Sequence, residues 1–111
     1  MSRSYHHGAL AEAMVDQALA SVRGQGADQV SLRSIAQVLD VSPSAVYNHF
    51  ADKDDLLRAV GACGLAALDE RMSRVLAAHL ADTPDAARAR FSGLGRAYLA
   101  FAIEETHLFQ L

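Results

Sequence analysis

The chain has 111 residues, with 10 Lys and Arg against 13 Asp and Glu, 51% apolar residues and a single cysteine. That length holds one domain, or a small domain and part of another, and is too short for a TIM barrel or a complete dinucleotide-binding fold. The apolar content argues against a disordered chain, and one cysteine excludes an internal disulfide and fits a reducing cytoplasm. No apolar run approaches the roughly 20 residues of a membrane-spanning helix, and the opening MSRSYHHGAL lacks the apolar stretch of a signal peptide. The net charge of −3 is shared between mildly acidic halves. A nucleic-acid partner would therefore have to be recognised by local placement of charge, not by the whole-chain sum.

The predicted elements are all helical. Leu10, Met14, Ala18 and Val22 are spaced by four, with Ala11, Val15 and Leu19 beside them. They predict a first helix from about Tyr5 to Arg23, ended by Gly24 and Gly26. Ser31 is a good N-cap for a second helix carried by Leu32, Ile35, Ala36 and Leu39. Asp40 and Val41 interrupt it. Ser42-Pro43, a cap followed by proline at the first helical position, starts a third helix to about Phe50, with Val46 and Phe50 inward. Asp52 starts a fourth helix with Asp54 and Asp55 in its first turn, where the helix dipole favours negative charge. Leu57, Val60, Leu65, Leu68, Met72, Val75, Leu76 and Leu80 mark its apolar stripe to about residue 80. Thr83-Pro84-Asp85 starts a fifth, with Phe91, Leu94, Tyr98, Ala102 and Ile103 as its stripe. The last residues, His107 to Leu111, are apolar and end without a stop signal, as in a chain cut in the middle of an element.

Two short helices joined by a three-residue turn outline a helix-turn-helix. Ala36 supplies the small residue needed where such helices cross. Ile35, Leu39, Val41 and Val46 are spaced to lock the pair. Asp40 occupies the turn position that must tolerate positive φ, where glycine would be easier. The second helix of such a unit offers small or polar residues at its N-terminal end, which enters the major groove. Ser42, Ser44, Ala45 and Asn48 meet that demand.

The stretch SLRSIAQVLDVSPSAVYNHFADK resembles the DNA-binding domain of the tetracycline-repressor (TetR) family of bacterial transcriptional regulators. The matching residues are Ser31-Leu32-Arg33, Ile35-Ala36, Val41-Ser42-Pro43, Val46-Tyr47-Asn48-His49-Phe50, Lys53 and Leu56-Leu57. The opening Tyr5-His6-His7-Gly8, with Leu10, is similar to one subgroup. Asp40 departs from the family, which has glycine there. The resemblance implies an all-α fold: a three-helix DNA-binding domain at 1–52, then the first helices of a ligand-binding and dimerisation domain at 53–111. It implies a repressor that binds double-stranded operator DNA as a cytoplasmic homodimer and is released by a small-molecule effector. It also implies that Ser44, Ala45 and Asn48 face base edges, while Ser42, Tyr47 and His49 touch phosphates. Ser31 and Arg33 would meet the backbone from the preceding helix. Lys53, with the N–H groups opening the fourth helix, would reach a phosphate. An effector pocket would be lined by Phe91, Leu94, Tyr98 and Phe101, with Phe109 and Leu111 nearby.

Plainer readings stand beside these. Phe50 reads as core; Tyr47 reads as a phosphate contact because Val46 and Phe50 already mark the buried side. Arg3, His6 and His7 read as an N-terminal arm near DNA. No metal or other cofactor is expected, because adjacent histidines diverge on a helix and His49, His79 and His107 are scattered. Cys63 reads as a small core residue. No phosphate loop, nucleophile elbow or HExxH pair is present, so an enzyme is not expected. The competing function is a helical protein-interaction module that keeps the helix-turn-helix shape without specific DNA affinity. Its support is the local charge, Arg33 and Lys53 against Asp40 and Asp52.

Overall fold

A computed structural model of the chain describes residues 7–111, and Arg3 and His6 of the expected arm lie outside them. The described residues form helices α1 (His7–Gln25), α2 (Leu32–Leu39), α3 (Pro43–Tyr47), α4 (Lys53–Ala78), α5 (Pro84–Glu104) and α6 (Thr106–Phe109), with one 3₁₀ turn at Ala27–Gln29. The fold is all-α, as the sequence predicts; among the described residues there is no strand.

The four-residue spacing in α1 has a direct consequence. Leu10, Met14, Ala18 and Val22 are all buried and form one cluster with Val30, Leu32, Ile35, Ala36, Val46, Leu56, Val60 and Leu108. Each large apolar side chain removed from water here contributes about 1.5–3 kcal/mol. The cluster reaches past residue 52 into α4, through Leu56 and Val60, and takes in α6 through Leu108. Leu56, absent from the predicted stripe, is fully buried.

Several boundaries differ from the sequence reading. Gly24 does not end α1. The helix runs on to Gln25, and Gly26 stops it at φ 92°, a backbone region that suits glycine. Regular helix in α3 ends at Tyr47, short of the expected Phe50. The chain tightens there, with the His49 N–H donating to Val46 O at 3.0 Å and the Phe50 N–H to the same oxygen at 3.2 Å. Phe50 is half-buried, packed on the core's edge. The apolar stripe of α4 is covered only at its start. Leu65 is 70% exposed, and Leu76 and Leu80 are exposed as well. Phe91 and Ile103 of α5 are also exposed. Cys63 is half-buried and outside the core cluster.

Two local features hold the long helices together. Arg90 donates from Nη1 to the carbonyls of His79 and Ala81, at 2.6 and 3.0 Å, closing the end of α4. Gly93 is buried where α5 crosses α4: a Cβ there would stand 2.6 Å from Val75 Cγ1. The segment after Glu104 forms α6, and its Leu108 side chain settles beside Gly64 of α4.

Candidate DNA-binding surface

The geometry of α2, the turn and α3 follows from three polar residues. Ser31 Oγ accepts from the Ser34 N–H at 3.2 Å and starts α2. Asp40 ends α2 in the left-handed conformation (φ 57°, ψ 47°), and the Val41 N–H reaches back to Ala36 O at 3.0 Å. Ser42 Oγ accepts from the Ala45 N–H at 3.2 Å, and Pro43 follows at the start of α3. Each such cap is worth about 1 kcal/mol. Val46 is fully buried and fixes which side of α3 faces the core.

With Val46 inward, Ser44, Tyr47 and Asn48 share the opposite, solvent-facing side of the α3 turn, and Ser42 and Pro43 stand exposed at its N-terminal end. Tyr47 is 52% exposed, so its ring and hydroxyl are presented outward. Ala45 and His49 flank this face and are half-buried. On α2, Arg33 is exposed one residue into the helix and Ser31 is half-buried beside it. The structure thus gathers Ser42, Ser44, Tyr47 and Asn48 on one end and face of α3, while Ser31 and Arg33 lie on a neighbouring element.

Lys53 is placed differently from the rest. Its Nζ donates to Asp28 O at 3.3 Å, which ties the start of α4 to the 3₁₀ turn after α1. An ammonium has three donors, so this bond leaves it able to reach another acceptor. The N-terminus of α4 is already occupied by carboxylates. Asp52 accepts from the Asp55 N–H at 2.8 Å, and Asp55 accepts from the Ala51 N–H at 3.0 Å. Of the α4 amides expected to meet a phosphate, that of Asp55 is therefore engaged within the chain, and local negative charge opposes an anion there.

A second concave region lies on α4 to α6. It is a groove of about 1000 Å³ lined by Leu57, Leu65 and Leu68 of α4, Tyr98 and Phe101 of α5, and Leu108 and Phe109 of α6, among others. Tyr98 and Phe109 meet edge to face, with ring centres 5.6 Å apart. Of the four residues expected to line a pocket, Tyr98 and Phe101 reach this groove; Phe91 and Leu94 stand earlier on α5, outside its lining. Leu108 and Phe109 complete the wall because α6 folds back onto α1 and α4. Four helical residues are too few for periodicity to reveal. Among the described residues, no three His, Cys, Asp or Glu side chains come together to hold a metal ion.

Residues 14–60 match the family model for bacterial regulatory proteins of the tetR family. No curated protein matches the chain. Among solved structures, a protein of unknown function from Rhodococcus sp. RHA1 is similar over 98% of this chain, with 32% identity and a TM-score of 0.80. The chain spans 54% of that protein's length.

Proposed function

We propose, from the match of residues 14–60 to the family model for bacterial regulatory proteins of the tetR family, that the chain is a regulator of that family, which binds operator DNA through α3 and represses transcription as a cytoplasmic homodimer. The observation that carries this reading is the single outward face of α3. Ser44, Tyr47 and Asn48 are exposed there while Val46 locks the helix to the core. Asn48 can pair with an adenine edge, and Ser44 and Ala45 are small enough to let the helix approach the base edges. Tyr47 and Ser42 donate to phosphate oxygens without regard to sequence, as do Arg33 and Ser31 from α2 and Lys53 from α4. His49 belongs to the same phosphate-contacting set. Few side chains read bases directly, so part of the selectivity comes from DNA shape.

We divide the chain functionally into a DNA-binding unit, residues 1–52, and a second helical unit, residues 53–111. The groove on α4 to α6 supports binding of a small apolar effector by this second unit. Leu108 both lines the groove and belongs to the core that holds Ile35 and Val46. An occupant that shifts α6 is therefore felt at the packing of α2 and α3. Effector release follows when the ligand prefers the arrangement that does not fit DNA.

Binding to the DNA upstream of the chain's own gene, compared with scrambled DNA over a salt series, tests the reading. A regulator protects one site, binds it roughly 10³-fold or more above scrambled sequence, and loses affinity steeply as salt rises. Equal, weak binding to both DNAs would instead favour the protein-interaction module.

A further inference from the structure

The groove on α4 to α6 is elongated and has two unlike ends. Its floor is one face of α4, where lining residues recur every three or four positions from Asp54 to Leu68, a span of about 21 Å. Leu57, Leu65 and Leu68 are interrupted there by Gly61, Ala62 and Gly64. A Cβ at Gly61 would meet nothing within 4 Å, so the middle of the floor is open space. The Leu68 end is apolar and aromatic: Tyr98 and Phe101 wall it, and the Arg71 guanidinium covers the Phe101 ring from the next turn of α4. The other end lies beside Ala27 of the 3₁₀ turn and carries the charged side chains of the lining, Asp54 and Arg58.

Those two charges are not equivalent. Arg58 Nη1 donates to Asp55 Oδ1 at 3.3 Å, so its charge is offset within α4. Lys53, the next cation, lies outside the lining and donates to Asp28 O. The Asp54 carboxylate has no hydrogen-bond or ion-pair partner among the described residues. We propose that the groove takes an elongated amphipathic cation, with its ammonium or amidinium group at Asp54 and its apolar body laid along α4 toward Tyr98 and Phe101. The cation meets the one lining charge left unbalanced, where an anion would be repelled. A slender body passes over the open floor at Gly61 and covers the exposed Leu65. The volume, about 1000 Å³, is at the upper end of ligand pockets and suits a long occupant. This names the chemical class of the effector and rests on the reading of the groove as the effector's seat.

Titration calorimetry of the whole chain tests it, with decyltrimethylammonium, decanoate and decyl maltoside, each below its micelle-forming concentration. The expected result is a single site that prefers the cation to the carboxylate by roughly tenfold or more, with the uncharged head between them. Asp54→Asn should bring the cation down to the uncharged molecule. Asp69→Asn removes an exposed carboxylate of α4 outside the lining and should keep the preference. Gly61→Leu fills the floor and should weaken all three at least roughly tenfold. Its helix content by circular dichroism should not fall, because the position is open and leucine is the better helix former. Binding of none of the three overturns both this inference and the effector reading of the groove. Decanoate bound as tightly as the cation, or a preference that Asp54→Asn and Asp69→Asn reduce alike, overturns the inference and leaves the effector reading standing. Binding that Gly61→Leu leaves intact lies outside the groove and overturns the inference as well.

Discussion

The guanidinium of Arg23 and the carboxylate of Glu105 meet at 3.0 Å, joining the last turn of α1 to the residue between α5 and α6. This pair marks where the chain after α5 returns to α1. Beside it, His107 packs against Gly26, at whose position a Cβ would come within 3.3 Å of Nδ1, and Leu108 enters the core. The ion pair is partly exposed and contributes under about 1 kcal/mol; the leucine carries the attachment. Leu108→Ala should cost about 2–4 kcal/mol, measured by urea unfolding, whereas Glu105→Gln should change stability by less than about 1 kcal/mol. Equal effects would mean that charge, not packing, holds α6.

The crossing of α4 and α5 makes a sharper demand. A methyl group at Gly93 would stand 2.6 Å from Val75 Cγ1, and a β-branched side chain cannot swing aside within a helix. Gly93→Ala should therefore destabilise the chain by about 1–2 kcal/mol despite the better helix propensity of alanine. In a Val75→Ala background the clash is gone, and the same substitution should stabilise by roughly 0.5–1 kcal/mol. A double-mutant cycle reads this reversal of sign directly.

What could be read from the residues, and what could not, divides along the length of the period. Leu10, Met14, Ala18 and Val22 repeat over four turns, and all four are buried. Ser31, Ser42, Asp52 and Thr83 each announce a helix start, and in each the side-chain oxygen accepts the expected backbone N–H. The distal half resisted the same logic. Leu65 and Phe91 sit in regular apolar stripes yet are exposed, because periodicity reports which face is apolar and not what covers it. Leu108 and Leu56 escaped for opposite reasons: one lies in a helix of four residues, the other beside Leu57 in a run where either leucine fits the stripe. At the candidate surface, residue type and spacing pointed to the exposed face of α3. The bond from Lys53 to Asp28 O spans 25 residues and has no local signature.

Asp40 tests how much the turn tolerates. It holds φ 57° with a side chain that is compatible with the left-handed region only because it is short and polar. Asp40→Gly should leave stability within about 0.5 kcal/mol, relief of backbone strain being offset by the greater freedom of the unfolded chain. Asp40→Val should lose about 1–2 kcal/mol, because a β-branched residue is excluded from this region. Thermal unfolding of the two variants decides it; a stable Asp40→Val protein would mean that the turn between α2 and α3 has moved.

The proposed DNA face makes separable demands on three exposed or half-buried residues of α3 and α4. Tyr47→Phe removes one hydroxyl from an exposed ring, so folding should be untouched. Binding to specific and scrambled DNA should weaken alike, since a phosphate contact carries no sequence information. Asn48→Ala should instead alter preference at one base position by about 1–3 kcal/mol and leave scrambled DNA nearly unaffected. Lys53→Ala combines two losses: a charge near the phosphates and the bond to Asp28 O. It should lower the slope of log affinity against log salt by about 1 and also cost up to about 1 kcal/mol of stability. Affinity measured across salt with paired matched and scrambled duplexes, beside unfolding of each variant, separates these terms. If Lys53→Ala shifts stability alone and leaves the salt slope unchanged, Lys53 acts only as a structural tie between α4 and the 3₁₀ turn. The phosphate contacts would then fall to Ser42, Tyr47 and Arg33.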